Sequence, residues 1–380
     1  MKKLLVVLLC LTLLLTTACA ADETQTGETT QTTEKTATPE PAAPVIITEE
    51  VKAQLDAVLE KYKYEGIVYL THNGEVIYQS VSGTNDMGQP LTIDSQMYIG
   101  SISKQFCAAA ILMLRDQGKL SLDDTLEKYF PEYTIGKDIT LKNLLTMRSG
   151  ICRDVNPMLN EPEKYEQNTV EENEALFKEY VFSQPLIFAP DTACGYSNNN
   201  YRLLAFVVEQ VSGQRYEDFI RQNIYEPLGM THSGFKIEVK DHPEWGLTYD
   251  KIQATGQVSV LAKGAGGVVT TAADMDIWMT ALQSGKVVCE ESYQEMITDY
   301  SPEMGTGMGY GYGLMMTLRD GRGHNGGNGG YTSQMYFNEA YGYNLFMVTN
   351  TATMYVNPVE KVSTDFLRIL FTATDDATGN

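Results

Sequence analysis

Apolar positions at Val51, Leu55, Val58 and Leu59 recur on one helical face behind Thr48, which predicts a capped helix. Residues 66–72 and 75–80 are strand-like runs joined at Asn73-Gly74, a hairpin signal. Toward the other end, residues 310–318, 333–337 and 343–349 also read as strands. Val359, Val362, Phe366, Ile369 and Leu370 then share the inward face of a last helix. Between these ends the patterns are mostly helical, at 141–145, 171–180, 201–211, 216–224 and 272–282, each broken by glycine, proline or polar turns. The order predicts an α+β fold: an antiparallel sheet from both chain ends, flanked by helices, with an inserted all-helical region. The cleft between two such parts is a natural ligand site.

The chain ends modify this picture. Met1-Lys2-Lys3 followed by the apolar run 4–15 has the form of a secretory signal, over residues 1–19. Thr16-Thr17-Ala18-Cys19 fits a lipoprotein signal with Cys19 as the lipidated residue, and Ala18-Cys19-Ala20 also fits ordinary small-residue cleavage. Residues 20–44 are too polar to bury a core and read as a disordered tether. A single folded domain is expected at 45–374, with a tail at 375–380. The expected location is extracytoplasmic, on the membrane through a lipid anchor or else secreted.

Net charge is −21, which argues against nucleic acid as a partner and against an anionic membrane holding the folded body directly. Cys107, Cys152, Cys194 and Cys289 remain after the signal, an even number that permits disulfides without fixing them. None has Cys-x-x-Cys spacing, so a metal site has little support.

Candidate chemistry begins at Ser101-Ile102-Ser103-Lys104, ahead of the apolar helical run 106–114. Residues three apart share a helix face, so the hydroxyl and the amine can meet, and an enclosed lysine of lowered pKa can take the serine proton. Gly100 before Ser101 permits the turn that presents the nucleophile. Ser233-Gly234-Phe235-Lys236 repeats the spacing, but in a glycine-flanked turn without an apolar helix behind it, and is read as a chance match.

With these residues in place, the chain resembles the penicillin-recognising serine hydrolases, the class C β-lactamase-like group that includes D-alanyl-D-alanine carboxypeptidases, D-aminopeptidases and esterases. The resemblance runs through Ile99 to Phe106, Asp116 to Asp124 and the stretch Leu144 to Ile151, where Met147-Arg148 replaces the family's usual His-Thr. Tyr196-Ser197-Asn198 matches the Tyr-x-Asn motif in order and context. His324-Asn325-Gly326-Gly327 stands where the family usually has Lys-Thr-Gly.

The resemblance implies a β-lactamase/transpeptidase-like fold and an acyl-enzyme on Ser101, with Lys104 and Tyr196 sharing the proton work. A Tyr196 phenol of lowered pKa beside the Lys104 ammonium is part of that expectation. Asn198, His324, Gly326 and Gly327 are implied on the substrate side, with the backbone N–H groups of Ser101 and Gly327 as an oxyanion hole. Imidazole holds a substrate carboxylate less firmly than an ammonium, so carboxypeptidase or esterase chemistry is favoured over strong β-lactamase activity. A small-molecule or peptide substrate is implied, and no metal or organic cofactor is required. The alternative is a penicillin-binding-like sensor that kept the fold without turnover. Gly264 to Gly267, before Thr270 to Asp274, also resembles a family stretch, for which a tight turn into a capped helix is a sufficient account.

Overall fold

The computed structural model describes residues 47–155, 157–158, 165, 168–247, 260–301, 309–351 and 358–378. The expected signal, Cys19 and the tether at 20–44 lie outside these residues. Thr48 accepts from the Val51 N–H and caps helix α1 (Glu49–Tyr62). Strands β1 (Gly66–His72) and β2 (Glu75–Ser82) follow as a hairpin, with Asn73 and Gly74 both at positive φ as a two-residue turn demands.

The chain returns to this sheet at its far end. β6 (Met315–Met316), β7 (Arg322–Asn328), β8 (Tyr331–Asn338) and β9 (Tyr343–Thr349) complete an antiparallel sheet in the order β2-β1-β9-β8-β7-β6. Side chains alternate across it. Ile67, Met335 and Phe346 face the larger core, while Val68, Leu70, Leu345 and Met347 face helix α1 and the final helix α7 (Pro358–Thr378). Helix α7 continues past residue 374, where the folded part was expected to end, and Arg319 pairs with its Asp375 at 2.7 Å.

The inserted region holds α2 (Lys104–Asp116), α3 (Leu141–Leu145), α4 (Val170–Ser183), α5 (Asn198–Ser212) and α6 (Ala272–Gln283). It is not wholly helical. Strands β3 (Met97–Tyr98), β4 (Gly234–Phe235) and β5 (Val268–Thr270) form a second antiparallel sheet in the order β3-β5-β4, too short to leave an alternating pattern. Helix α2 is buried on nearly every side and forms the centre of the larger core, with Phe106 against Trp278 at 4.2 Å between ring centroids.

One expectation near the site changes. Of residues 310–318 only Met315–Met316 pairs as a strand, apart from an isolated bridge at Tyr310. Gly313, at φ +73, lies so close to α2 that a Cβ would stand 2.9 Å from the Lys104 backbone carbon, so the segment wraps over the helix start. The glycine-rich segment Arg322–Asn328, which carries His324-Asn325-Gly326-Gly327, is a full strand beside the Ser101 turn.

All four cysteines described, Cys107, Cys152, Cys194 and Cys289, are free thiols.

Candidate active site

Ser101 sits in a tight turn, Gly100–Ser103, that leads directly into α2. Gly100 has φ +52, and a Cβ there would lie 2.5 Å from the Gly327 nitrogen. The turn is fixed on two sides. Ser103 Oγ donates to the Gly100 carbonyl at 2.7 Å and accepts from the Val268 N–H at 3.0 Å, while Ser333 Oγ donates to the Ile99 carbonyl at 2.8 Å.

Lys104 is fully buried, and its Nζ meets three oxygens: Ser101 Oγ at 3.0 Å, Asn198 Oδ1 at 2.9 Å and the Ala265 carbonyl at 2.7 Å. Asn198 is held in this orientation because its amide nitrogen donates to Asp154 Oδ1 at 2.8 Å, and a carboxylate accepts only. Two of the three oxygens can therefore only accept from Lys104. The third belongs to a hydroxyl, which can donate. An ammonium would donate to all three, whereas a neutral amine, with two N–H donors and one lone pair, is matched when the Ser101 hydroxyl turns its proton toward Nζ. The electrostatics favour the amine: burial lowers the Lys104 pKa well below its ordinary value, and the neighbouring Arg202 guanidinium lowers it further.

Tyr196 precedes α5 and is joined to the stretch Leu144 to Ile151 and the residues after it. Gly195 N–H donates to the Met147 carbonyl at 2.9 Å, Ser197 Oγ to Cys152 O at 2.8 Å, and Asn198 N–H to Arg153 O at 3.1 Å. Lys104 Nζ stands 4.9 Å from the Tyr196 ring centroid. Burial pushes the Tyr196 pKa up, although Ser101 nearby opposes this. The expected lowering of the phenol pKa is thus reversed, because burial outweighs the nearby Arg153 and Arg202 charges that would lower it.

His324 faces the same cluster from β7, 6.2 Å from Tyr196 between ring centroids, but only 1% of it is exposed. Its Nδ1 is 2.5 Å from the Asn325 carbonyl and must carry the proton, so Nε2 accepts from the Tyr310 hydroxyl at 3.2 Å. Burial lowers its pKa to about 3, with Lys104 adding to the effect. His324 is accordingly a neutral group packed behind the cleft, where the sequence suggested one in contact with substrate. Gly326 is required sterically, since a Cβ there would lie 1.9 Å from the Ile99 carbonyl oxygen. Gly327 is exposed beside the nucleophile turn, with nothing within 4 Å of a Cβ.

Sequence reasoning missed Arg153, Asp154, Arg202, Ala265 and Tyr310. The four-residue spacing of Asn198 and Arg202 on α5 is a usable signal for one of them, because it places both on one face. Asp154 and Ala265 reach the site only through tertiary contacts. The Gly264–Gly267 turn is more than an entry to the Thr271-capped helix α6, since it delivers the Ala265 carbonyl to Lys104. The second serine-lysine match does not form a pair of this kind: Ser233 Oγ bonds Thr270 and Asp274, whereas Lys236 Nζ lies over the Tyr98 ring.

A serine and a buried lysine at the start of one helix on this α+β frame place the chain in the β-lactamase and penicillin-binding-protein class of folds. The chain belongs to the beta-lactamase family, whose model matches residues 51–362. It is similar to a Bacillus subtilis (strain 168) protein named for penicillin binding, PbpX, with 31% identity over 279 residues that cover 70% of this chain and 66% of that relative. Among solved structures, the octameric penicillin-binding protein homologue from Pyrococcus abyssi superposes with a TM-score of 0.70 at 25% identity, covering 85% of this chain and 77% of that one. The D-amino acid amidase from Ochrobactrum anthropi SV3 shares the fold at a TM-score of 0.70 and 21% identity, over 87% of this chain and all of its own.

Proposed function

We propose that this chain is an extracytoplasmic serine hydrolase that forms an acyl-enzyme on Ser101. The observation that carries the reading is the placement of Lys104 Nζ 3.0 Å from Ser101 Oγ in a buried setting that lowers the lysine's pKa, so that the amine is within reach of the serine proton. Ser101 Oγ attacks the substrate carbonyl as its proton passes to Lys104. The backbone N–H groups of Ser101 and Gly327 receive the developing oxyanion. Tyr196, kept protonated by burial, gives its proton to the leaving group and is recharged from Lys104. Water then attacks the ester and reverses the proton path.

Cell-wall or other D-amino-acid peptides, β-lactams and esters are the substrate classes in view. The neutral His324 supports carboxypeptidase-like or esterase-like turnover over strong β-lactamase activity, since no ammonium stands on β7 to hold a carboxylate. The signal-like segment 1–19 and Cys19 support export and tethering by a lipid.

The test is the intact mass of the protein after exposure to a fluorophosphonate and, separately, to benzylpenicillin. A wild-type adduct that is absent in Ser101→Ala supports the nucleophile. An acyl adduct that never clears, with every substrate class, points to a sensor; no adduct on folded wild type overturns the hydrolase reading.

A further inference from the structure

Lys104 can act as a base only while it is uncharged, yet a carboxylate stands directly behind one of its partners. Asp154 Oδ1 accepts from the Asn198 amide nitrogen at 2.8 Å, and the carbonyl end of that amide accepts from Lys104 at 2.9 Å. The carboxylate is useful there, because an acceptor-only group turns the Asn198 carbonyl toward Nζ. Its charge is harmful, because a negative charge nearby draws a proton onto a lysine. Both demands are met only if a cation offsets Asp154 without displacing the amide.

Arg202 has that position. It lies one turn beyond Asn198 on the same face of α5, and its Nη1 is 3.6 Å from the same Asp154 Oδ1. Its side chain is 5% exposed, so solvent and salt screen it little. Two hydrogen bonds fix the guanidinium, from Nε to the Leu261 carbonyl at 3.0 Å and from Nη1 to Asn199 Oδ1 at 2.7 Å. The Leu261 segment leads into the turn that delivers the Ala265 carbonyl to Lys104. Burial lowers the Arg202 pKa to about 10 while Asp154 opposes the fall, so the group is a cation at neutral pH. Arg153 also reaches the carboxylate, with Nε 3.3 Å from Asp154 Oδ2, but its side chain is 68% exposed and its charge is screened. The remaining titratable neighbours are uncharged at neutral pH: burial raises the pKa of Tyr196, Tyr201, Cys107 and Cys152 and lowers that of His324.

We propose that Arg202 is a positioning residue for acylation: it neutralises Asp154, so that Asp154 aims Asn198 at Lys104 without charging the amine. The inference rests on the reading of Ser101 as nucleophile and Lys104 as its base. It makes the Asp154–Arg202 pair, beside burial, the device that keeps the base free at neutral pH. Removal of either member then acts on Lys104 with opposite sign.

The test is the rate of fluorophosphonate labelling at Ser101, followed from acid to mildly alkaline pH in wild type, Arg202→Met, Asp154→Asn and the double variant. In Arg202→Met the limb on which the rate rises with pH should move up by about 1 pH unit, so that labelling on its acid side is about 10-fold slower. Asp154→Asn keeps an acceptor for Asn198 and leaves Arg202 unopposed, so its limb should move down. The double variant should return toward wild type, and Arg202→Lys should fall between wild type and Arg202→Met. Circular dichroism checks that each variant is folded. If Arg202→Met does not fold, the direction of the shift in Asp154→Asn decides. A limb that stays in place while the rate falls equally at every pH overturns the inference, as does a limb that moves the same way in both single variants. Either outcome leaves the hydrolase reading standing. Absence of labelling on folded wild type would instead remove the nucleophile, and the inference with it.

Discussion

Lys104 donates through Nζ to Asn198 Oδ1 at 2.9 Å, and the orientation of that amide is set by Asp154 on its far side. The neutral carbonyl end of Asn198 lets Lys104 stay uncharged, because a hydrogen-bond acceptor without a full negative charge does not draw a proton onto the amine. Asn198→Asp would place a carboxylate there and favour the ammonium. The base-dependent limb of acylation should then move up by about 1 to 3 pH units. Fluorophosphonate labelling rates against pH measure this: a rate depressed at pH 7 and recovering in alkali is expected, and a loss of equal size at every pH would exclude the electrostatic explanation.

His324 gives the protein a pH-dependent stability of known sign. In the unfolded chain the imidazole ionises near 6.5, whereas in the fold burial first, and Lys104 second, lower its pKa to about 3. Between these values the unfolded state binds a proton that the folded state does not. The fold therefore loses about 1.4 kcal/mol per pH unit from this group as pH falls from 6.5 toward 3, and nothing above 6.5. His324→Gln keeps an acceptor for Tyr310 and a donor for the Asn325 carbonyl without titrating. Urea unfolding between pH 6.5 and pH 4 should show a shallower acid loss in the variant, and parallel curves would contradict the burial argument.

The elements that place the nucleophile were legible because they are local. Thr48 and the face Val51, Leu55, Val58 announce a helix by capping and period, and Asn73-Gly74 announces its hairpin by backbone conformation. Ser101 and Lys104 meet because they are three apart on one helical path. Strand β7 was invisible to pattern, since three glycines and a neutral buried histidine give no alternation, and only the order of motifs located it. The protonation states of Lys104 and Tyr196 were not legible either. They follow from burial and from Arg202 and Asp154, which reach the cluster from other parts of the chain.

Lys263 holds the turn that presents the Ala265 carbonyl to Lys104. Its Nζ is buried between Glu174 of α4 at 2.6 Å and Glu209 of α5 at 2.7 Å. Burial alone would lower its pKa, but Glu217, Glu209 and Glu174 together outweigh it and hold the ammonium charged. Lys263→Met removes the charge that the half-buried Glu174 and Glu209 share. A loss of about 1–3 kcal/mol in chemical denaturation is expected. Lys263→Met combined with Glu174→Gln and Glu209→Gln should recover a good part of it, and a triple variant no more stable than the single one would show that the ion pairs are not the cause.

Gly326 and Gly327 are neighbours on β7 with opposite tolerance for a side chain. A Cβ at Gly326 would meet the Ile99 carbonyl oxygen at 1.9 Å and Ser333 Oγ at 2.4 Å, on the strand that braces the nucleophile turn. The backbone cannot yield there without displacing the turn that carries Ser101. Gly326→Ala should cost roughly 1–3 kcal/mol or more through overpacking. At Gly327 a Cβ meets nothing within 4 Å, and the residue has no positive φ that would penalise alanine. Gly327→Ala should keep its melting temperature within a few degrees of wild type. Thermal unfolding of the two variants side by side decides the matter, since equal losses would mean that strand flexibility, and not the close approach of β7 to Ile99, sets the requirement for glycine.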